Sequence, residues 1–156
     1  MEKKRIAIFP GSFDPFTKGH EEIARRGANL FDELIIGIGH NTKKKRYFSL
    51  ASTVQKIEAL FADTPNIQVK PYQILTVNFA KENKADFILR GLRNTTDFEY
   101  ENSIAQANRQ IYPDLETVFL ITSPLYAHIS SSIIREMHKF GQDLKGFMPY
   151  DLEEVG

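Results

Sequence analysis

Short apolar segments alternate along the chain with longer segments in which apolar residues recur every three or four positions. The short segments are rich in Ile, Val and Phe and carry apolar residues at consecutive positions, which is typical of strands buried on both faces. Five of them predict strands, at residues 5–9, 34–39, 67–70, 87–89 and 118–121.

The longer segments predict helices. The second begins after Ser49, a favourable N-cap, and the fourth covers residues 100–111, where Pro113 stops it. The fifth ends at Gly141, and Pro149 suits the first position of a terminal helix. The apolar positions that we expect to face the core are Ile23, Gly27, Leu30 and Phe31 in the first helix, Leu50, Val54, Ile57, Leu60 and Phe61 in the second, Val77, Phe79 and Ala80 in the third, and Ile133, Ile134, Met137 and Phe140 in the fifth.

Strands that are each followed by a helix predict βαβ units, and βαβ units build a parallel sheet. We therefore expect an α/β fold with a doubly wound, Rossmann-like five-stranded parallel sheet, in a single domain over residues 1–156. Ligands of such sheets bind beyond the carboxyl ends of the strands, where the strand order reverses. The segments that directly follow each strand are therefore the ones to search for chemistry.

Composition narrows the possible partners. The 156 residues include 20 Lys and Arg and 20 Asp and Glu, so the formal net charge is zero. This balance argues against nucleic acid or an anionic membrane as the main partner. The absence of cysteine excludes disulfides, thiolate metal sites and cysteine nucleophiles. Because no apolar run is long enough for a signal peptide or a membrane span, we expect a soluble, cytoplasmic protein.

The segment after the first strand, residues 10–20, has the features of a phosphate site. It reads Pro-Gly-Ser-Phe-Asp-Pro-Phe-Thr-Lys-Gly-His and leads into a helix. Gly11 lets the backbone approach a ligand, Ser12 supplies a hydroxyl, and the start of the helix supplies free N–H groups. Gly19 leaves space beside His20. The alternative interpretation is an ordinary strand-to-helix turn with a structural histidine.

Three motifs in this chain resemble those of one enzyme family. Thr17-Lys18-Gly19-His20 matches the T/H-x-G-H signature of the nucleotidyltransferase superfamily. The whole of residues 10–20, the Arg-Gly-Leu-Arg of residues 90–93 with the acidic segment 97–101, and the Ile-Ser-Ser-Ser-Ile-Ile-Arg of residues 129–135 resemble the motifs of the phosphopantetheine adenylyltransferases. The resemblance covers nearly the whole chain, in order and with the expected spacing.

The resemblance implies that the adenylyl group of ATP is transferred to 4′-phosphopantetheine, which gives dephospho-coenzyme A and pyrophosphate in the penultimate step of coenzyme A biosynthesis. The attacking phosphate oxygen is already anionic, so neither a general base nor a covalent intermediate is required. Catalysis then consists of holding two anions in line and neutralising the charge that develops. The resemblance makes His20, Lys44 and Arg93 the catalytic residues, with His20 donating to the α-phosphate.

The family resemblance also implies which residues bind the substrates. For the acceptor these are Ser12, Lys44, Thr76 and Arg90. For ATP they are Ser12, Phe13, His20, Gly91, Leu92, Arg93, Glu101, Tyr126, Ala127, His128, Ile129, Ser130, Ser131 and Ser132. Lys44 is chosen by counting back from Phe48, and its neighbours Lys43 and Lys45 remain alternatives.

Simpler interpretations of the same residues remain open at this point. The lysines could be a solvated charge run, the two arginines could pair with Asp97 and Glu99 at the surface, and the serines could merely cap a helix. Two other functions are also open: adenylyl transfer to nicotinamide mononucleotide, and nucleotide sensing without catalysis. From the family we expect Mg²⁺ to arrive with ATP, a homohexamer, and coenzyme A as a feedback inhibitor. The apolar helix faces themselves are expected to belong to the core.

Overall fold

The computed structural model describes residues 2–152 and contains five strands and five helices in strict alternation. The elements are β1 (Ile6–Gly11), α1 (Lys18–Leu30), β2 (Glu33–Gly39), α2 (Leu50–Leu60), β3 (Ile67–Tyr72), α3 (Thr76–Glu82), β4 (Phe87–Leu92), α4 (Thr95–Ile111), β5 (Glu116–Ile121) and α5 (Ser131–Lys139). The strands form one parallel sheet in the order β3-β2-β1-β4-β5. The predicted doubly wound α/β fold is therefore confirmed.

Successive residues of the inner strands face opposite sides of the sheet and form two cores. On one side, Phe9 and Ile36 pack with Ile57 of α2 and with α1. On the other side, Ile8 packs with Phe79 of α3. The expectation of burial on both faces holds for β1 and β2 but is wrong for the two edge strands, where alternate or terminal residues are exposed.

Some predicted element boundaries and buried positions are wrong. Helix α4 starts at Thr95 rather than at residue 100, because the Asn94 side chain accepts from the Asp97 N–H and caps it. Strand β4 continues to Leu92, which places Arg90 within the sheet. In α5 only Ile134 is buried, and the other predicted core positions of that helix are partly or largely exposed.

The helix predicted to begin at Pro149 is also wrong as far as residue 152, and residues 153–156 lie outside the described chain. Residues 149–152 form an irregular segment. The Tyr150 ring packs against both the α1–α2 core and a small cluster around Ile134, and Lys56 donates to the Asp151 carbonyl at 2.7 Å. These contacts with two layers stabilise a non-helical course. No helix within residues 2–152 has the length and apolar character needed to cross a membrane.

The neighbouring strands β1 and β4 separate toward their carboxyl ends. Within the described chain, β1 and β4 are paired only through Ala7 with Phe87 and Ile8 with Ile88, although β1 continues to Gly11 and β4 to Leu92. Because β1 and β4 are also where the strand order reverses, an opening forms at the position where such sheets bind ligands. Residues that follow β1 and β4 therefore face each other across this opening.

Candidate active site

Three cavities meet at Ser12, which follows β1. The first, which we call the histidine cavity, has a volume of about 310 Å³ and lies between the ends of β1 and β4. The second, the tyrosine cavity, has about 360 Å³ and is bordered by Tyr72 and Thr76. The third, the lysine cavity, has about 680 Å³ and is bordered by Lys44 and Lys45. Ser12, which the resemblance assigns to both substrates, lines all three cavities.

The His20 imidazole is oriented by the residue that begins its helix. The Thr17 N–H donates to Nδ1 at 3.0 Å, and the Thr17 hydroxyl lies 3.2 Å from the same nitrogen. Because Nδ1 accepts a hydrogen bond from an amide, the proton of the neutral ring resides on Nε2. Thr17 in turn caps α1 by accepting from the His20 N–H. The capping box thus determines which nitrogen can donate into the cavity.

The surroundings of His20 keep it uncharged. The rings of Phe13 and Phe16 lie 5.0 and 5.4 Å from the imidazole, centroid to centroid. Burial, and then the positive charges of Arg90 and Arg93, lower the pKa of His20 to about 3. At neutral pH the site therefore presents a neutral N–H donor. Such a group can donate a hydrogen bond to a negative charge that develops in the transition state.

Arg90 forms the wall between the histidine and tyrosine cavities. Its Nε and Nη2 donate to the two carboxylate oxygens of Glu101 at 2.9 and 2.6 Å, and its Nη1 donates to the Pro10 carbonyl. Glu101 is 8% exposed, and its pairing with a guanidinium accounts for its burial. Arg90 and Glu101 both line both cavities. The pair therefore holds the ends of β1 and β4 and the face of α4 in one arrangement.

Arg93 is oriented by Asp97, one helical turn further on. Its backbone N–H and its Nε and Nη2 donate to the Asp97 carboxylate at 2.9 to 3.1 Å, and Nη1 reaches the Ile129 carbonyl at 3.4 Å. Burial raises the pKa of Asp97, but the hydrogen bonds from Arg93 outweigh burial and lower it overall. Arg93 thus stays in the histidine cavity, with its fork fixed by a carboxylate.

The three serines lie at the start of α5, on the opposite wall of the histidine cavity. Ser130 is the N-cap and accepts from the Ile133 N–H at 3.2 Å. Ser131 donates to the Pro15 carbonyl at 2.8 Å, and Ser132 accepts from Arg135 at 3.2 Å. Each hydroxyl already has a protein partner, and the residues that begin the helix line the cavity. Both the capping and the anion-binding interpretations are compatible with this geometry.

Most of the residues predicted for ATP do line the histidine cavity. They are Ser12, Phe13, His20, Gly91, Arg93, Glu101, Tyr126, Ile129, Ser130, Ser131 and Ser132. Leu92, Ala127 and His128 do not line it, although each adjoins a residue that does. His128 is exposed, and its ring lies 6.1 Å from that of Phe147.

The acceptor-side residues divide between the other two cavities. Thr76 borders the tyrosine cavity, where its hydroxyl lies 2.8 Å from that of Tyr72. The Tyr72 ring stacks on Phe79 at 4.1 Å. Burial raises the pKa of the Tyr72 hydroxyl, which therefore stays protonated. Sequence reasoning missed Tyr72 because the predicted third strand stopped at residue 70; a strand extended to residue 72 would have brought it to the binding edge.

The lysine loop, residues 41–48, follows β2. Lys44 and Lys45 line the lysine cavity and Lys43 does not. Of the three lysines considered for the acceptor, two therefore border a cavity that Ser12 also lines. Both side chains are exposed, and within residues 2–152 no hydrogen bond or ion pair holds either ammonium group. Arg46 behaves differently: its side chain points inward and is only 11% exposed. Sequence reasoning counted it with the basic run and did not anticipate this.

Within the described residues, no group of three or more histidines, aspartates and glutamates is arranged to hold a metal ion. The histidine cavity instead combines a neutral N–H donor, an oriented guanidinium and the start of a helix at the switch point of a parallel sheet. These features suit the binding of a nucleotide's phosphates and the transfer of one of its phosphoryl groups. The sequence matches the model of the cytidylyltransferase-like family over residues 8–137, so the chain belongs to that family.

Comparison with known proteins identifies the branch of this family. The chain is 60% identical over 148 residues to a phosphopantetheine adenylyltransferase of Cytophaga hutchinsonii, a match that covers 95% of this chain and 99% of that protein. It is 50% identical over 145 residues to the phosphopantetheine adenylyltransferase of Flavobacterium johnsoniae, which covers 93% and 95%. The chain therefore belongs to the phosphopantetheine adenylyltransferase family and is an enzyme of the nucleotidyltransferase class.

A solved structure supports the fold. A bifunctional NMN adenylyltransferase/ADP ribose pyrophosphatase from Francisella tularensis, complexed with AMP and a manganese ion, superposes with a TM-score of 0.68. The match covers 96% of this chain and 45% of that one, at 19% identity. At this identity the comparison shows a shared fold and says nothing about the acceptor.

Proposed function

We propose that this enzyme transfers the adenylyl group of ATP to 4′-phosphopantetheine, giving dephospho-coenzyme A and pyrophosphate, in the penultimate step of coenzyme A biosynthesis. The observation that carries the proposal is the meeting of three cavities at Ser12, with His20, whose Nε2–H is its free donor, lining the first of them. Membership of the family, at up to 60% identity, supports the same substrates. Two anions bound in adjacent cavities would meet at this point.

ATP is assigned to the histidine cavity. The start of α5, with Ser130 to Ser132, receives the β- and γ-phosphates, because helix N-termini bind anions through free amides and the helix dipole. Gly91, Tyr126 and Ile129 supply the surface for adenosine. The resemblance implies that Glu101 binds ATP; its bidentate pairing with Arg90 makes it a support of the wall on which the nucleotide rests.

Phosphopantetheine is assigned to the other two cavities. The lining of the tyrosine cavity combines apolar side chains, such as Leu75 and Ile104, with the hydroxyls of Tyr72 and Thr76. This combination suits an arm that alternates methylenes and amides. The acceptor phosphate would lie near Ser12, within reach of Lys44 and beside Arg90.

The reaction is a single in-line displacement. An oxygen of the acceptor phosphate bonds to the α-phosphorus of ATP as the bond to the bridging oxygen breaks, and pyrophosphate leaves with the electron pair. His20 donates its Nε2–H to a non-bridging oxygen of the α-phosphate, where charge accumulates in the transition state. Arg93 and Lys44 neutralise charge on the nucleotide side and the acceptor side. No side chain needs to remove a proton.

The donor set of the histidine cavity fits a Mg²⁺ ion that arrives on ATP. Asp97 and Glu101, the two carboxylates that line this cavity, are both held by arginines. Phosphate oxygens and water are the ligands that Mg²⁺ usually keeps at nucleotide sites. The ion supplies neutralisation of the triphosphate charge. The protein's own residues supply the orientation.

We further propose a cytoplasmic homohexamer that coenzyme A inhibits. Helix α4 exposes Tyr100, Ile104 and Ile111, so the expectation that the apolar helix faces belong to the core is wrong for this helix. Tyr100 and Ile104 also border the tyrosine cavity, and large apolar side chains left exposed on one helix favour a partner subunit. Coenzyme A carries the pantetheine arm and would compete for the tyrosine cavity. Light scattering at several protein concentrations tests the assembly, and inhibition kinetics against the acceptor test the competition.

The decisive experiment incubates the purified enzyme with Mg-ATP and either 4′-phosphopantetheine or nicotinamide mononucleotide, and identifies the products by mass. We expect dephospho-coenzyme A and stoichiometric pyrophosphate with the first acceptor only. A dinucleotide product with the second acceptor would replace our substrate assignment. ATP binding without pyrophosphate release from either mixture would indicate a nucleotide sensor.

A further inference from the structure

Arg46 ends the basic run of the lysine loop but turns away from solvent. Its Nη1 donates to the Ser12 carbonyl at 2.7 Å, and its Nη2 donates to the Phe13 carbonyl at 3.3 Å. Its Nε donates to the Phe48 carbonyl at 3.1 Å. Thr53 of α2 accepts a fourth bond at 3.4 Å. The guanidinium thus spans two loops and one helix, and its donors are used on protein oxygens.

The backbone that Arg46 holds adopts an unfavourable conformation. Phe13 has a φ of 46°, in the left-handed region that residues other than glycine rarely adopt. This turn places the Phe13 ring against the His20 imidazole, and the neighbouring Gly11 has no room for a Cβ, which would lie 2.9 Å from that ring. Strained backbone at a site persists only where surrounding contacts hold it. Arg46 supplies contacts to the carbonyls of both Ser12 and Phe13.

The loop that carries Ser12 also holds the lysine loop, through the carboxylate of Asp14. Asp14 accepts from the N–H groups of Tyr47 and Phe48, each at 2.8 Å, and lies 3.9 Å from Arg46. The loop that carries Ser12 and the loop that carries Lys44 are therefore joined by reciprocal bonds. A shift of either loop would change the distance between the acceptor phosphate and the α-phosphorus.

We propose that Arg46 is a positioning residue: by holding the carbonyls of Ser12 and Phe13, it sets the placement of the Ser12 hydroxyl and the His20 ring relative to the acceptor-side lysines. Arg46 lines the lysine cavity beside Lys44 and Lys45, but its guanidinium already makes four hydrogen bonds to protein oxygens, so its role is to hold the loops and not the substrate phosphate. This inference rests on the proposed function, since the distance that it sets is the one between the two substrates. Misplacement by about 1 Å can cost about 100-fold in rate.

The test compares Arg46→Ala and Arg46→Lys with Arg25→Ala. Arg25 is a matched control, because its guanidinium also bonds a backbone carbonyl (Leu60) and a threonine hydroxyl (Thr64), away from the three cavities. For both Arg46 variants we expect kcat to fall by about 10- to 100-fold while the KM of each substrate changes less than about threefold. Arg25→Ala should lose comparable thermal stability and keep its kcat.

Two further measurements separate positioning from general stability. Added guanidinium ion should restore part of the turnover that Arg46→Ala has lost. It should not raise the turnover of Arg25→Ala. Hydrogen exchange of the peptide that covers residues 11–14 should accelerate in the Arg46 variants and not in Arg25→Ala. If Arg46→Ala does not fold, Arg46→Lys, which keeps the charge but not the fork, still provides both the kinetic and the exchange results.

Other results would overturn the proposal. A raised acceptor KM with an unchanged kcat would make Arg46 a phosphate-binding cation, and a loss of rate without guanidinium rescue or faster loop exchange would make it an ordinary structural residue. The wild-type assay with 4′-phosphopantetheine decides the proposed function separately. Should that assay fail, exchange in residues 11–14 still shows whether Arg46 holds the loop.

Discussion

The histidine cavity and the lysine cavity differ in how far the protein orients its own polar groups. In the histidine cavity, Thr17 orients His20, Asp97 orients Arg93, and Pro15 accepts from Ser131. In the lysine cavity, Lys44 and Lys45 extend into solvent, and the described residues offer their ammonium groups no partner. The histidine side, which we call the rigid side, has its polar groups held before substrate binds. The lysine side, which we call the mobile side, has two lysines that no described residue holds, although Arg46 and Arg135 in the same cavity are bonded to backbone carbonyls.

This difference suits the reaction that we propose. In that reaction charge develops on the oxygens of the α-phosphate in the transition state, and donors that are already in place stabilise it without reorganising. The acceptor phosphate carries its charge throughout, so a mobile ammonium group can reach it at the cost of side-chain entropy alone. The rigid side should therefore affect kcat and the mobile side should affect KM.

The largest loss of activity is expected from a substitution of His20, on the rigid side of the site. His20→Ala should lower kcat by about 100- to 1,000-fold and change the dissociation constant of ATP by less than about threefold, because the proposed bond is strongest in the transition state. Steady-state kinetics and calorimetry measure the two quantities. His40→Ala, at a histidine that lines none of the three cavities, is the control. An unchanged kcat would remove His20 from the mechanism.

The second effect concerns stability against pH. His20 titrates near 6.5 in the unfolded chain and near 3 in the folded one, so between these values the unfolded state binds more protons. Its contribution to stability is full above pH 6.5 and is lost as the pH falls toward 3. When the pH falls from 7 to 4.5, the free energy of unfolding should decrease in the wild type by about 2–3 kcal/mol more than in His20→Gln, which lacks the titrating imidazole. Urea unfolding followed by circular dichroism measures this, and parallel curves would contradict the buried, neutral imidazole.

A smaller effect is expected on the mobile side. Lys44→Ala should raise the KM for 4′-phosphopantetheine by about tenfold, with a smaller change in kcat, and added salt should reduce the difference because exposed charges are screened. Lys43→Ala is the matched control, since Lys43 does not line the cavity. If Lys45→Ala gives the larger increase instead, the gripping lysine is one position further along.

The smallest effect is expected at the serines. Ser131→Ala and Ser132→Ala should each weaken ATP binding by about two- to threefold, because their hydroxyls already bond Pro15 and Arg135 and the helix amides remain available. Isothermal calorimetry with ATP measures this. A loss above about tenfold in either variant would show that the hydroxyls themselves carry the phosphate contact, and the rigid side would then depend on side chains rather than on the helix.

Much of the fold was predictable because it depends on local patterns. Apolar residues at consecutive positions predicted all five strands, and apolar stripes predicted the five helices of the structure. The ends were less accurate. Residues 95–99 are helical and Arg90 is in a strand, yet both segments are polar enough to hide the periodicity. The outward apolar face of α4 was also misjudged, since periodicity shows that a stripe exists but not what covers it.

The sequence predicted which residues border the candidate site, but not which acidic residue each arginine would bond. Pairing of the arginines with Asp97 and Glu99 was one interpretation of the sequence; the structure pairs Arg93 with Asp97 and Arg90 with Glu101. Positions 97 and 101 share a helix face, whereas position 99 lies on another. Arg46 and the three lysines before it form one basic run in the sequence, but in the fold the Arg46 guanidinium is bonded to backbone carbonyls while the lysines are exposed.

By itself, the sequence determined the order of the elements, the edge of the sheet at which a ligand is expected and the residue types that follow each strand. These depend on short-range periodicity and on the spacing of a few motifs. Only the tertiary structure decided which nitrogen of His20 carries the proton, which carboxylates occupy the arginines, and that Arg46 joins two loops while the lysines before it are exposed. Those outcomes depend on distances between segments far apart in the chain, which no local pattern contains.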